Sequence, residues 1–267
     1  HPMQMRPEGT VTTVPLFFLM ELILVTLASL LAGCVDAIVG GGGLVLVPAM
    51  LAAYPQAHPA TLFGTNKSVS IWGTAMAAAQ YSRRVQLNWH VMAPAIALSF
   101  MGSMSGAWVL TRVSPDFLRL VLPLVLMAVF AYTLVKKELG REHAPRLSAT
   151  HERLAAAVVG LGIGFYDGFF GPGTGSFFVF LLVRWLGYDF LNASACAKLL
   201  NVASNGAALI LLAMKGHVWW HVALSLAVAN VLGSLLGTRL ALKHGAAFVR
   251  GAFLAVVSGL IVKTSWD

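Results

Sequence analysis

Residues 16–39 form an apolar stretch longer than the roughly 20 residues a helix needs to cross about 30 Å of hydrocarbon. Nine further apolar stretches follow, at about 44–54, 66–81, 89–111, 117–135, 153–170, 175–187, 195–214, 218–242 and 247–262. A chain built this way has lipid as its outer solvent. The composition agrees: 58% of the 267 residues are hydrophobic and 10% are charged, whereas soluble domains carry roughly a quarter charged residues. Inside lipid every backbone polar group must be satisfied within the segment or by closure of a barrel. The length of these stretches selects helices, so the expected fold is an all-α polytopic membrane protein. The first stretch is too long for the apolar core of a cleavable signal.

The second constraint is a duplication. Residues 21–136 align without a gap on residues 152–267 at an offset of 131, with 19 identities among the 116 pairs. The rare matches carry the argument: Glu21/Glu152, Asp36/Asp167, Lys67/Lys198, the triplet Trp89-His90-Val91/Trp220-His221-Val222, and Arg119/Arg250. This predicts a first repeat over 16–135, a polar cytoplasmic linker over 136–152 and a second repeat over 153–262. Five segments per half is an odd number, so the halves are expected to be inverted. Duplicated membrane folds of this kind place their site where the repeats meet. With ten crossings and the N-terminus outside, 11 basic residues fall inside and 5 outside; four crossings per half give 10 against 6. The positive-inside rule leans toward ten.

Each half contains a glycine-rich interruption beside an acid: Gly33-Cys-Val-Asp36-Ala-Ile-Val-Gly40-Gly41-Gly42-Gly43, and Gly164-Phe-Tyr-Asp167-Gly-Phe-Phe-Gly171-Pro-Gly173-Thr174-Gly175. Such a run breaks a helix at membrane depth, which is tolerated where the open backbone is buried in protein or lines a cavity. The next half-helix starts there with free N–H groups and the positive end of its dipole, a setting for an anion. The plainer alternative is close packing of helices over small residues. Gly41, Gly42, Gly173 and Thr174 are the candidate backbone contacts. Gly171 to Gly175 lacks the lysine and the βαβ setting of a nucleotide loop.

The second candidate constellation is Gly64-Thr65-Asn66-Lys67-Ser68-Val69-Ser70, matched by Ala195-Cys196-Ala197-Lys198-Leu199-Leu200-Asn201. Each lysine is read as opening an apolar helix, and a charge at that depth costs several kcal/mol unless paired or hydrated. The lysines are either ion-pair partners for Asp36 and Asp167, or snorkel to the interface, or supply the positive field for an anionic ligand. The first and third roles combine into a gate that an anion or a proton opens. Asn66, Ser68, Ser70 and Asn201 are the candidate donors to ligand oxygens, with Ser204 and Asn205 beside them. Asp36 and Asp167 are the candidate proton-coupling carboxylates, with Asp36 favoured because more polar donors lie in its half.

The remaining features read as structural. Trp89-His90 and Trp220-His221 are interface anchors. Gly102–Gly106 and Gly233–Gly237 are GxxxG packing motifs, one of them a possible homodimer contact. Glu21 and Glu152 suit the positive ends of their helices. Cys34 and Cys196 read as buried free thiols. The net charge of +8 is scattered between apolar segments and forms no nucleic-acid-binding stripe. No hydrolase or redox pattern, metal-spaced histidine cluster or cofactor motif is present in the sequence, so neither enzyme activity nor a cofactor is expected.

At these residues the chain resembles the TauE/SafE sulfite-exporter family, the TSUP family of membrane permeases. The segments carrying the likeness are Gly33 to Pro48, Gly64-Thr-Asn-Lys67-Ser68, Asp167 to Gly175 and Lys198-Leu-Leu-Asn201, and it extends from about Leu16 to Val262. The resemblance implies a multi-pass carrier of sulfite, thiosulfate or an organosulfonate in the bacterial inner membrane. The second half departs from the first, with Ala197 in place of Asn66 and Leu199 in place of Ser68, so a site would be asymmetric. The reading is a secondary transporter, an exporter coupled to protons, whose partners are a small anion and the bilayer. The alternative is a thiol-dependent sulfur-handling protein using Cys34 or Cys196.

Overall fold

The computed structural model describes residues 16–118, 120–121, 124 and 147–264. Every element among them is helical: α1 (Leu16–Val39), α2 (Gly43–Ala53), α3 (Pro59–Ser82), α4 (Trp89–Leu110), α5 (Ala149–Phe169), α6 (Thr174–Leu181, continued by a π-helical turn Leu182–Leu186), α7 (Phe190–Met214) and α8 (Trp220–Thr264). Most of the fifth apolar stretch and of the linker lies outside the described residues. Four described helices are long and apolar enough to cross a membrane, at Leu22–Val39, Trp89–Leu110, Phe190–Met214 and Trp220–His244. α2 and the α6 segment are apolar but shorter.

Two helix starts correct the sequence reading. α3 begins at Pro59, whose fixed φ suits a first helical position, and His58 Nδ1 accepts the Ala60 amide N–H at 3.2 Å. α7 follows Asp189, which accepts the Asn192 backbone N–H at 2.8 Å and its side-chain amide at 2.6 Å. Both caps lie upstream of the apolar residues at 66 and 195 from which these helices were expected to start. Lys67 and Lys198 therefore do not open their helices. Each is the ninth residue, two turns in. The ninth and tenth stretches also run as one helix of 45 residues. The residues between the two stretches, Lys243-His244-Gly245-Ala246, include one glycine, which a helix accommodates at about 1 kcal/mol.

The helices pack across the halves. α1 lies parallel to α8, with Gly33 against the Asn230 carbonyl, Gly233 against that of Leu30 and Gly237 against that of Cys34. α4 lies parallel to α5 through the same contacts with every residue exchanged for one 131 away: Gly164 on Ser99, Gly102 on Leu161 and Gly106 on Phe165. At none of these glycines is there room for a Cβ. The absent side chain lets two backbones approach, which is how helices gain contact where lipid provides no hydrophobic drive. Both GxxxG motifs are thus filled by the first helix of the other half, so neither offers the dimer contact considered for it. α3 and α7 cross antiparallel, with Gly64 near Leu212 and Ile71 near Gly206. The Ser103 hydroxyl donates to Ser204 O at 2.6 Å, and its equivalent Ser234 to Gly73 O at 2.6 Å.

The outer faces are apolar. Leu154, Val158, Leu161 and Phe165 on α5, and Leu224, Val228, Leu232 and Leu236 on α8, stand exposed at helical spacing. Asn230, Ser234 and Thr238 turn inward on α8. Buried polar residues are concentrated in α3, at Thr65, Asn66, Lys67, Ser68 and Thr74, and in its equivalent α7, at Ser194, Lys198, Asn201, Ser204 and Asn205.

Candidate functional site

The two helix interruptions meet. α1 ends at Val39; Gly40 beyond it has a φ of +79°, in the left-handed region that side chains disfavour, and its equivalent Gly171 has φ +87°. Gly40 abuts Gly175 backbone to backbone, with no space for a Cβ on Gly40. Ser176 clasps the first break to the second: its N–H donates to Gly40 O at 3.2 Å and its hydroxyl to Val39 O at 2.6 Å. Tyr166 OH closes the second break by donating to Pro172 O at 2.7 Å.

Two ion pairs flank this junction, and each joins one half to the other. Lys67 Nζ on α3 lies 2.6 Å from Asp167 Oδ1 on α5, with side chains 3% and 1% exposed. Lys198 Nζ on α7 lies 3.5 Å from Asp36 Oδ2 on α1 and also donates to the Asp36 backbone carbonyl. Lys67 is seated against Gly171, where an added Cβ would stand 2.9 Å from Nζ. The lysines are therefore paired and do not snorkel. Taking an ion pair out of water costs several kcal/mol per ion, and removing one partner of such a pair costs about 3–5 kcal/mol.

The two pairs differ in their surroundings. Asp36 is 13% exposed and both its oxygens have further donors: Thr74 Oγ1 at 3.0 Å to Oδ2 and Gly42 N–H at 3.4 Å to Oδ1. Its carboxylate stands at the start of α2, in the position expected for an anion. Asp167 Oδ2, in contrast, is buried with no hydrogen-bond partner. The residue equivalent to Thr74 is Asn205, whose side-chain amide donates to Asn201 Oδ1 at 3.2 Å.

The other sequence-derived candidates are placed unevenly. Asn66 is buried and its Oδ1 has no partner. Ser68 donates to Thr65 O at 2.9 Å and Thr174 to Gly171 O at 2.7 Å, so both hydroxyls serve their own backbone. Asn201 is engaged by Asn205, and Ser70 is half-buried. Gly41 and Gly173 are buried within the breaks. Three polar contacts have no counterpart in the sequence reading. Tyr81 OH donates to Ala37 O at 3.0 Å. Tyr188 OH donates to Glu152 Oε1. His58 stacks on His217, with ring centroids 5.1 Å apart. Their partners are distant in the chain, and no spacing rule links them. Among the described residues no three histidines, cysteines or carboxylates converge to hold a metal.

Comparison with known proteins gives a consistent result. The signature of the family described as Sulfite exporter TauE/SafE matches residues 25–264. The chain is 36% identical over 239 residues to the probable membrane transporter protein YfcA of Escherichia coli K12, covering 90% of this chain and 87% of that one. It is 35% identical over 244 residues to the probable membrane transporter protein ORF9 of Sinorhizobium sp, covering 90% of each. It is 32% identical over 237 residues to a probable membrane transporter protein of Haemophilus influenzae, covering 88% and 91%. No solved structure matches it significantly. With its apolar exterior, buried charge pairs and likeness along almost the whole chain, this protein belongs to the sulfite exporter TauE/SafE family, which are membrane transporters and not enzymes.

Proposed function

We propose that the protein is a secondary transporter that exports a small sulfur-containing anion, such as sulfite, thiosulfate or an organosulfonate, across a bacterial inner membrane. The observation that carries this reading is the exchange of partners at the junction of the two helix breaks. Each buried lysine is neutralised by the acid of the opposite half. An anion entering there competes with a carboxylate for an ammonium group, and its binding is thereby coupled to a contact between the halves. The family description, which names sulfite export, supports the substrate class.

The proposed organisation is two inverted repeats, 16–135 and 153–262, joined by a cytoplasmic linker at 136–152. The antiparallel crossing of the equivalent helices α3 and α7 supports inversion, as does the distribution of basic residues. Cysteine-accessibility labelling should find both termini outside the cytoplasm; finding both inside would refute the inverted arrangement.

Reconstituted protein should bind and move at least one of sulfite, thiosulfate, taurine and sulfoacetate better than sulfate. Equal, weak transport of all of them would end the sulfur-anion assignment. A Cys34→Ala/Cys196→Ala variant should keep its flux. Cys196 is buried in an apolar cluster and Cys34 is half-buried, and loss of flux in this variant would favour thiol chemistry instead.

A further inference from the structure

We propose that Asp167, and not its equivalent Asp36, is the carboxylate that takes up a proton when an anion occupies Lys67. The inference rests on the transport reading above and specifies its coupling step. The duplication makes the two acids equivalent in sequence, but their surroundings differ.

If Lys198 turns away from Asp36, the carboxylate keeps the Thr74 hydroxyl at 3.0 Å and the Gly42 N–H at 3.4 Å. Two donors and partial exposure sustain a negative charge. Lys198 is itself held back, because it also donates to the Asp36 backbone carbonyl. If Lys67 turns away from Asp167, Oδ1 loses the ammonium at 2.6 Å and Oδ2 already has no partner. The group equivalent to Thr74, Asn205, is committed to Asn201. A carboxylate 1% exposed cannot stay ionised without a donor, because the cost of burying a lone charge far exceeds that of burying a neutral acid. Protonation is the remaining outcome.

The step balances. A monovalent anion pairs with the Lys67 ammonium, and a hydronium ion entering with it gives up one proton to an Asp167 oxygen: an O–H bond of the hydronium breaks, the carboxyl O–H bond forms, and water is left. No other bond changes. Before the step the site holds ammonium and carboxylate; after it, ammonium, anion and neutral acid. Both states have zero net charge. One proton thus travels with one anion in the same direction, so export carries a proton out with the anion and runs down the anion's own gradient.

The first test needs no substrate. Purified Lys67→Met protein at neutral pH should show an infrared C=O band of a protonated carboxyl that the parent lacks. The band should vanish in Lys67→Met/Asp167→Asn, and Lys198→Met should not produce one. A band in Lys198→Met with none in Lys67→Met, or none in either, overturns the assignment. Should Lys67→Met fail to fold, the parent is titrated with acid: a carboxyl band absent from Asp167→Asn supports the proposal, and one absent from Asp36→Asn overturns it. In proteoliposomes loaded with methanesulfonate, whose charge is constant across the pH range used, Asp167→Asn should lose the stimulation by a proton gradient. Asp36→Asn should lower flux yet keep the ratio with and without the gradient. If the parent moves no anion at all, the transport reading fails, while the infrared bands still decide which acid carries the proton.

Discussion

Thr74 donates its hydroxyl to Asp36 across 3.0 Å, a contact that joins α3 to α1 within the first half and has no counterpart in the second. Replacing Thr74 with valine keeps the shape and removes the donor. Leaving a buried acceptor short of a bond costs about 1–3 kcal/mol. Thermal unfolding in detergent should show a loss in this range for Thr74→Val. Asn205→Ala, whose amide bonds another side chain and not an acid, should cost less.

Lys67 and Lys215 provide a matched comparison of a buried and an exposed cation. Lys67→Ala leaves Asp167 buried without its partner, and about 3–5 kcal/mol of stability should be lost. Anion binding, followed by calorimetry, should fall below detection. Lys215 is exposed at the end of α7, and Lys215→Ala should stay within about 0.5 kcal/mol of the parent with binding intact. Equal losses of binding in the two variants would make Lys67 a structural partner only.

Two glycines of α5 should respond with opposite signs to the same substitution. Gly164 rests on the Ser99 carbonyl with no space for a Cβ, whereas Gly162 has nothing within 4 Å. Gly164→Ala should force α4 and α5 apart at about 1–3 kcal/mol. Gly162→Ala should stabilise the helix by about 0.4–1 kcal/mol, because alanine loses less conformational freedom on folding. Melting temperatures of the two variants in one detergent check both signs.

His217, in the turn before α8 and stacked on His58 at the start of α3, should make stability depend on pH. Burial, His58 and Lys215 hold the His217 imidazole below its ordinary value of 6.5. The unfolded chain therefore binds more protons than the folded one near that pH. The stability tied to this group is fully present above 6.5 and is lost as pH falls below it. The Thr61 hydroxyl shares a 3.2 Å hydrogen bond with His217, and His58 Nδ1 caps α3 as an acceptor. The melting temperature should fall on acidification through this range, and His217→Gln should flatten that slope.

How far the sequence revealed these features depends on the kind of relationship involved. The bounds of α1 were legible because an apolar run ends in four glycines, and the equivalence of Lys67 with Lys198 followed from the duplication. Which acid neutralises which lysine was not legible, because alignment shows which residues correspond and not which are neighbours. The pairing depends on α1 lying against α8 and α4 against α5. The starts of α3 and α7 were missed because their caps, His58 and Asp189, precede the apolar residues by about two turns. The difference between Asp36 and Asp167 comes from which donors reach each carboxylate: the Thr74 hydroxyl and the Gly42 N–H bond Asp36, whereas Asn205 bonds Asn201.

The glycine contacts between α1 and α8 and between α4 and α5 also bear on the ancestry of the chain. Neither half contains the surface that fills its own glycine groove; each borrows it from the other. A single half made alone would leave that groove open to lipid and its buried lysine without a counter-charge. Before any gene fusion, a one-repeat ancestor would thus have met the same requirement only by embracing a second copy of itself. Joining two such genes would have shortened the search between partners without altering what each needed from the other.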